Sequence, residues 1–213
     1  MQILYEDNHV IALAKPPGIA TMGLPEGHET LFTQTKAYIK EKYAKPGEVY
    51  LGVLSRLDVP VSGVVIFARN SKAAARLNEQ FRNHTVEKTY IALVEGTITP
   101  TEWECVDYLC ESNRHRRIYS EPIDGGKECR LRYRKLRQVG QCSLIEIQLE
   151  TGRKHQIRLQ FSSRGFPIRG DAKYGAAMPF PNGIALHAWK LVFSHPTTQE
   201  RIELVAPLPR MFG

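Results

Sequence analysis

The strongest constraint on the fold is a strict two-residue alternation that runs through two neighbouring segments. In "ECRLRYRKLRQ", Arg130, Arg132 and Arg134 fall on one side of an extended chain, while Leu131 and Tyr133 fall on the other. After a Val-Gly-Gln connection, "CSLIEIQLE" alternates in the same way. Successive side chains of a β-strand point to opposite faces, so this pattern is typical of half-buried antiparallel strands. The two segments together predict a β-hairpin.

Strands are also predicted along the rest of the chain, with single helices between them. Helical spacing of apolar residues indicates helices in 29–44 and in 70–85, where Asn70 or Ser71 can cap the first turn, and again in 151–165. The other strands are predicted at "MQILYED", "HVIALAK", "GVVIFAR", "EKTYIALVEG", "GIALHAWKLVFSH" and "ERIELVAP". Strands dominate and helices intervene singly, which favours an α+β fold with a large mixed, mainly antiparallel sheet. Without internal repeats or a long linker, residues 1–213 are expected to form one domain.

The positive charge is concentrated in two segments. The net charge is +7, and between residues 114 and 137 nine Lys and Arg stand against three acidic residues. Between residues 152 and 173, six Lys and Arg stand against Asp171 alone. Basic side chains that neutralise phosphates release counterions, which gives affinity independent of sequence. The concentration predicts a polyanionic partner, namely nucleic acid; the alternative is that these residues form solvated surfaces.

Several function classes lose support because their motifs are missing from the sequence. The chain has no G-x-x-x-x-G-K-[ST], no G-x-G-x-x-G after a strand, no H-E-x-x-H and no G-x-S-x-G. Its seven histidines lack ligand-like spacing, and its four cysteines form no C-x-x-C pair, so a metal site is not expected. Without a secretory leader or an apolar run of about 18 residues, a cytoplasmic location is expected.

Two segments remain that carry chemistry. "LSRLDVPVSG" at 54–63 places one carboxylate, Asp58, in a turn before an apolar strand. "TGRKHQIRLQ" at 151–160 is dense with donors for phosphates and sugars, and on a helix Lys154 and Arg158 lie one turn apart. From spacing alone, this segment is equally well read as a basic helix that keeps the protein in solution.

These segments belong to a set that resembles the RluA family of RNA pseudouridine synthases. The similar blocks are "YEDNHVIALAKPPGI" at 5–19, "RLDVPVSG" at 56–63, "EKTYIALVEG" at 87–96, "TGRKHQIRLQFSSRGFPIRGDAKYG" at 151–175 and "ALHAWKLVFSHP" at 185–196. The blocks follow the family's order and span nearly the whole chain, which makes the joint match far more specific than any single block.

The resemblance implies an isomerase that converts uridine within RNA to pseudouridine without metal or cofactor. It also implies a bent sheet flanked by a few helices, with the active-site cleft across the sheet. In this family the aspartate of R-L-D is the catalytic residue, here Asp58, and the arginine of H-Q-I-R, here Arg158, pairs with it. The tyrosine of K-x-Y, here Tyr90, packs on the target base and takes part in proton transfer at C5. Arg56 is associated with holding the flipped-out nucleotide or its place in the stack.

Physical reasoning supports these roles independently. A stacked uracil cannot be detached, turned and rejoined through C5 unless it leaves the stack, and Tyr90 would supply an aromatic face for it. A carboxylate in a closed pocket tends to protonate, and pairing with Arg158 would keep Asp58 ionised. Asp58 would then attack either C6 of the base or C1′ of the ribose, and the sequence favours neither.

The candidates for RNA contact are polar residues of the family-like blocks and the arginine face of the predicted hairpin. They are Arg56, Lys15, Arg153, His155, Gln156, Arg130, Arg132 and Arg134. Many relatives carry an N-terminal S4-type RNA-binding domain, whereas here Met1 leads directly into the first block, so we expect the catalytic domain itself to select the RNA. The basic segment 114–137 is then expected to grip the substrate flank, although "NRHRR" at 113–117 equally suits a mobile exposed insert. Either tRNA or rRNA suits as substrate, and a monomer is expected.

Two departures and two alternative functions accompany this interpretation. Ser55 and Val61 stand where the family commonly has histidine and threonine, which changes hydrogen bonding around the motif but not the carboxylate. A catalytically idle RNA-binding protein of the same fold ranks second. Such a protein would be expected to have lost catalytic residues, whereas Asp58, Tyr90 and Arg158 are all present. A nucleoside or glycoside hydrolase ranks third, because such chemistry generally needs a second carboxylate close to the first.

Overall fold

The structure is a computed structural model that describes residues 1–25, 27–112 and 115–212. Within these ranges the chain forms eleven β-strands, three α-helices and two 3₁₀ turns. The strands are β1 (Gln2–Glu6), β2 (Val10–Lys15), β3 (Gly52–Val53), β4 (Ser62–Ala68), β5 (Glu87–Glu95), β6 (Glu102–Ser112), β7 (His115–Tyr119), β8 (Lys127–Val139), β9 (Cys142–Leu149), β10 (Leu186–Ser194) and β11 (Arg201–Val205). The helices are α1 (Leu31–Lys42), α2 (Ser71–Arg82) and α3 (Gln156–Ser162), and the 3₁₀ turns are Ala172–Tyr174 and Arg210–Phe212.

The chain divides into two compact units, each described here by itself. The first unit comprises Met1–Val86 and Ala188–Leu208, and the second comprises Glu87–His187 and Pro209–Gly213. The prediction of a single domain over 1–213 stays a prediction.

In the first unit the strands follow the order β1-β2-β4-β10, with β3 also paired to β4 and β11 to β10. β2 and β4 are antiparallel and almost wholly buried, so their alternating side chains fill two separate apolar clusters. One cluster contains Ile66 and Leu77 of α2, and the other contains Phe67 and Leu31 of α1. One helix therefore contributes to the apolar cluster on each face of this sheet.

Both helices of the first unit begin where the sequence predicts. The Thr30 side chain accepts a hydrogen bond from the Thr33 backbone N–H at 3.1 Å, and the Thr33 hydroxyl bonds back in a reciprocal capping box. Asn70 caps α2, with its side-chain oxygen accepting from the Ala73 N–H at 2.9 Å. The capping role predicted for Asn70 or Ser71 is thus confirmed for Asn70.

Gly63, the second residue of β4, lies against the neighbouring strand. Its φ is +121°, and a Cβ built there would lie 2.2 Å from the Ala188 carbonyl oxygen and 2.5 Å from the Ala188 nitrogen. Such distances are far inside van der Waals contact. Glycine is required here both for the backbone conformation and for the close approach of the two chains.

In the second unit the strands follow the order β5-β9-β8-β6-β7, and the neighbouring pairs are antiparallel. The predicted hairpin is confirmed as β8 and β9, with an irregularity in register between Lys135 and Arg137. Helix α3 is shorter than the predicted helical segment 151–165.

β6 and β7 are not among the strands predicted from the sequence. The "NRHRR" segment, also interpreted as a mobile insert, leads into β7, while Asn113 and Arg114 lie outside the described residues. In β6, Glu102 and Glu104 alternate with Trp103 and Cys105 as in a half-buried strand, but Val106 and Asp107 reverse the order and shorten the pattern.

The predicted α+β class with a large, mainly antiparallel sheet is confirmed by the order of the elements and by their pairing. None of the helices in the described ranges is long and apolar enough to cross a membrane.

Candidate active site

The segment that carries Asp58 is an irregular loop of the first unit, held on both sides by hydrogen bonds. The Thr21 hydroxyl donates to the Leu57 carbonyl at 3.0 Å and accepts from the Leu57 N–H at 3.1 Å. One residue beyond Asp58, the Val59 carbonyl accepts from the Gly18 N–H at 2.8 Å. A turn follows, in which the Val61 N–H donates to the Asp58 carbonyl at 3.0 Å. The half-buried Asp58 side chain therefore projects from a backbone fixed immediately before and after it.

Lys15 holds the same loop through hydrogen bonds to its backbone. Its side chain is 1% exposed, and its ammonium donates to the carbonyls of Pro16 at 2.9 Å, Ile19 at 2.8 Å and Val59 at 3.2 Å. Burial lowers the pKa of Lys15 to about 8, against the opposing pull of the Asp58 charge. Direct RNA contact, expected for Lys15 from the sequence, does not fit this burial. Lys15 instead positions the segment that follows Asp58.

Tyr90 lies on β5 in the second unit, in one cross-strand row of side chains. It pairs with Ile147 of β9, which in turn pairs with Tyr133 of β8. Tyr133 packs edge-to-face on Phe161 of α3, with ring centroids 5.4 Å apart. Tyr90 and α3, which carries Arg158, therefore lie on the same face of this sheet.

Lys88, the first residue of the K-x-Y motif, anchors the start of β5. Its ammonium donates to the Glu150 carbonyl at 2.9 Å, and burial lowers its pKa to about 8. Two residues along a strand share a face, so Lys88 lies on the same side as Tyr90. Lys88 is thus a structural residue of the site that was not among the candidates from the sequence.

The side chain of Arg158 is fixed by a buried acidic partner. Its guanidinium makes a bidentate ion pair with Asp171, with Nε and Nη2 at 2.6 and 2.8 Å from the two carboxylate oxygens. Both side chains are nearly inaccessible to solvent, at 6% and 2% exposed. The Arg158 guanidinium also lies over the Tyr174 ring, 4.9 Å from its centroid, and the Tyr174 hydroxyl lies 2.6 Å from His155 Nδ1.

Asp171 was recognisable in the sequence by one signal. It is the only acid among the six basic residues of 152–173, and a buried arginine needs a carboxylate partner. A planar bidentate pair orients the guanidinium and also balances its positive charge. We therefore read Asp171 as a positioning residue for Arg158.

Gln156 is part of the protein interior. It is 2% exposed, and its side-chain oxygen accepts from the Thr151 hydroxyl at 2.8 Å and from the Arg153 N–H at 3.0 Å. Its amide nitrogen donates to the Arg130 carbonyl at 3.2 Å and to Gln160 at 3.0 Å. These bonds tie loop 151–155 to β8. Gln156 thus shapes the loop, in contrast to the RNA contact expected from the sequence.

The arginine face of β8 is neutralised by glutamates from the adjacent strands and from its own. β6, β8 and β9 place glutamates on the same sheet face as Arg130, Arg132 and Arg134. The ion pairs include Arg130–Glu104 at 3.0 Å, Arg130–Glu128 at 3.3 Å, Arg132–Glu150 at 3.3 Å and Arg134–Glu146 at 3.2 Å. Such exposed pairs add little stability, but they cancel the positive potential on which phosphate binding depends. The net positive charge counted for segment 114–137 in the sequence is therefore largely cancelled on this face of the sheet.

The remaining predicted residues have accessible positions. Arg56 and Arg153 are exposed, and His155 is half-buried in the left-handed conformation just before α3. Asp58 and Arg56 belong to the first unit, and Tyr90 and Arg158 to the second. That Asp58, Tyr90 and Arg158 act in one site stays a prediction.

Comparison with known proteins agrees with this arrangement of motifs. A sequence model of the RNA pseudouridylate synthase family matches residues 9–163. An uncharacterized RNA pseudouridine synthase of Bacillus subtilis (strain 168), YlyB, is 35% identical over 212 residues, which cover 98% of this chain and 69% of that protein. The ribosomal large subunit pseudouridine synthase D of Xylella fastidiosa is 32% identical over 226 residues, covering 98% of this chain and 66% of that protein.

A solved structure supports the fold. Human RNA pseudouridylate synthase domain containing 4 superposes with a TM-score of 0.83 at 23% identity, covering 99% of this chain and 90% of that chain. With the family's sequence pattern over most of its length and close relatives along nearly all of it, this chain belongs to the RNA pseudouridylate synthase family, and it is an enzyme that isomerises uridine in RNA to pseudouridine.

Proposed function

We propose that this enzyme acts on ribosomal RNA of the large subunit and that Asp58 is its nucleophile. The observation that carries the catalytic part is the Asp58 loop, which Lys15, Thr21 and Gly18 hold by hydrogen bonds on both sides of the carboxylate. A nucleophile fixed in this way loses little freedom in reaching the transition state. Relatives named ribosomal large subunit pseudouridine synthase D, in Xylella fastidiosa and Nitrosomonas europaea among others, support the choice of RNA.

The proposed reaction is a redox-neutral rearrangement of one nucleotide. The uridine leaves the stack, and the ionised Asp58 adds to C6 of the base or to C1′ of the ribose. The N1–C1′ bond breaks, the uracil turns, and a C5–C1′ bond forms. The bond to Asp58 breaks as well, either at C1′ when C5 displaces the carboxylate or at C6 by elimination, so that Asp58 is free again. The C5 proton is then lost and N1 gains a proton, so the product has the same atoms as the substrate.

Two residues of the second unit complete the proposed machinery. Tyr90 offers an aromatic face on which the turned base can stack. We propose that it also takes part in the proton transfer at C5. Arg158 is proposed to stabilise the negative charge of the Asp58 carboxylate, with its own direction set by Asp171 and Tyr174. The Lys15 ammonium, which interacts electrostatically with Asp58, is a second cation near the proposed nucleophile.

The choice of RNA is tested by mapping pseudouridine after incubating the purified chain with unmodified transcripts. We expect new pseudouridine at one or a few positions of large-subunit ribosomal RNA and none in tRNA from the same organism. Mapping of all tRNA and rRNA in a strain that lacks the gene should show the same positions unmodified. Modification of tRNA alone would overturn the ribosomal assignment while leaving the isomerase activity in place.

The role of Asp171 is tested by Asp171→Asn. Loss of the two-point pair should let Arg158 turn, and misplacement of a positioned group by about 1 Å can lower kcat by about 10²-fold. We expect kcat to fall by about this factor in single-turnover assays while KM changes much less. Loss of a buried ion pair should also lower the free energy of unfolding, by about 3–5 kcal/mol, because the Arg158 charge stays buried without its partner carboxylate.

Asp107→Asn provides a matched control for this change. Asp107 is 4% exposed and pairs with Arg164 at 2.9 Å in the same unit, so the variant also removes a partly buried arginine–carboxylate pair. Its stability should fall as well, but its kcat should stay near that of the unchanged chain. Equal losses of kcat in the two variants would reduce Asp171 to a purely structural role.

A further inference from the structure

The two faces of the second unit's sheet differ in how their positive charges are balanced. On the face opposite Tyr90, the arginines of β8 are paired with glutamates. Among the described residues around α3 on the Tyr90 side of this sheet, four exposed cations stand out. They are Lys127 at the start of β8, Arg153 and Lys154 in the loop that leads into α3, and Lys173 in the 3₁₀ turn Ala172–Tyr174. We call these four residues the loop patch.

Hydrogen bonds and ring contacts gather the loop patch around one place. Loop 151–155 is fastened to β8, where the Arg130 N–H donates to the Thr151 hydroxyl at 2.8 Å. Arg153 lies along the start of the same strand, with its Nε donating to the Glu128 carbonyl at 3.4 Å, one residue from Lys127. Lys127 shares a sheet face with Cys129, which packs in an apolar cluster with Leu159 of α3.

Lys173 joins the loop patch through Tyr174. Its ammonium lies 5.7 Å from the centroid of the Tyr174 ring, and the Arg158 guanidinium lies over the same ring at 4.9 Å. The Tyr174 hydroxyl bonds to His155, the residue after Lys154. The loop patch therefore borders Arg158, which the proposed function places beside the nucleophile.

The positive charge of the loop patch is uncompensated. Across residues 1–25, 27–112 and 115–212, no carboxylate lies within 4.0 Å of its four cations. A single exposed cation without an acidic partner has little effect on stability. Four such cations close together create a positive electrostatic potential that attracts polyanions. Arg130, Arg132 and Arg134 lack this property because each has a glutamate partner.

We propose that the loop patch binds the phosphates of the RNA strand next to the target uridine. This inference rests on the proposed function, which brings RNA to the Tyr90 face. Regularly spaced phosphates match several flexible lysines better than scattered carboxylates of a protein would, because each lysine acts as a mobile point charge. The sequence predicted RNA binding by Arg130, Arg132 and Arg134. The proposal assigns RNA binding to the opposite face of the sheet instead.

The experiment compares two triple variants that remove the same charge. Lys127→Gln/Lys154→Gln/Lys173→Gln empties the loop patch of its lysines, and Arg130→Gln/Arg132→Gln/Arg134→Gln removes three positive charges from the opposite face. Binding to fragments of deproteinised large-subunit ribosomal RNA is measured across a series of salt concentrations. Each phosphate contact contributes about 0.7 to the slope of log K against log salt for single strands. We expect the lysine variant to lower the slope by about 2 and the arginine variant to change it by much less.

A charge-conserving variant separates phosphate contact from damage to the loop. Lys127→Arg/Lys154→Arg/Lys173→Arg should keep the salt slope of the unchanged chain, and its loss would overturn the proposal. An unchanged slope in the lysine-to-glutamine variant, or a larger drop in the arginine variant, would also overturn it. Failure of the proposed function is a different observation, absence of pseudouridine after incubation with the unchanged chain, so the two failures are distinguishable.

Discussion

Replacing Asp58 with asparagine is expected to abolish pseudouridine formation. The amide has nearly the same shape but is not a nucleophile, and loss of a covalent nucleophile lowers kcat by roughly 10⁴-fold or more. RNA binding should be largely intact, because the Asp58 loop is held through the backbone of its neighbours and by Thr21 and Lys15. Single-turnover assays on ribosomal RNA transcripts, with binding measured in parallel, separate the two effects.

Glu48→Gln is a suitable control for the Asp58 variant. Glu48 belongs to the same unit, is 86% exposed and pairs only with Lys36 among the described residues. The control should convert RNA at the normal rate. Pseudouridine formed by Asp58→Asn would contradict the mechanism, whereas inactivity of the unchanged chain on every RNA would favour an idle RNA-binding protein.

The second large effect is expected at Gly63. In Gly63→Ala, the new Cβ would lie 2.2 Å from the Ala188 carbonyl oxygen and 2.6 Å from its carbon, and these are backbone atoms that cannot rotate away. The φ of +121° adds strain for any residue with a side chain. β4 and β10 would have to separate in the buried centre of the first unit, so we expect a loss of more than about 4 kcal/mol in the free energy of unfolding.

A matched control for Gly63→Ala is Gly140→Ala in the turn between β8 and β9. Gly140 also has a positive φ, +57°, but a Cβ there would meet nothing within 4 Å. This change should cost only about 1–2 kcal/mol, the ordinary penalty of the left-handed conformation. Urea denaturation midpoints of the two variants give the comparison. Similar midpoints would show that β10 can move away from β4 at little cost.

Local patterns predicted most of the elements correctly. The alternation at 130–134 placed Arg132 and Tyr133 on opposite faces of β8, as observed, because the two-residue period belongs to any extended chain. Helix α1 lies within the predicted segment 29–44, and α2 begins at Asn70, one of the two caps predicted for it. The requirement for glycine at position 63 comes from contact with Ala188, far along the chain, and local sequence does not show it.

Predictions were wrong or incomplete where partners come from distant strands. β6 was missed because Val106 and Asp107 break its alternation, yet Glu104 of this strand pairs with Arg130 of β8 across the sheet. Lys15 and Gln156 were expected to contact RNA because they are polar, but buried carbonyls and hydroxyls satisfy them. Asp171 had no evident role until the fold brought it against Arg158.

The sequence by itself determined the family, the order of motifs and the chemical identity of the proposed nucleophile, since these depend on residue type and spacing. Only the tertiary structure decided which cations are neutralised and which are exposed. Charge counted along the chain assigned Arg130 and Lys127 to one basic segment, whereas the sheet places them on opposite faces, one beside glutamates and the other beside loop 151–155. The physical reason is that electrostatic potential depends on distances in space, and these are set by strand register rather than by position in sequence.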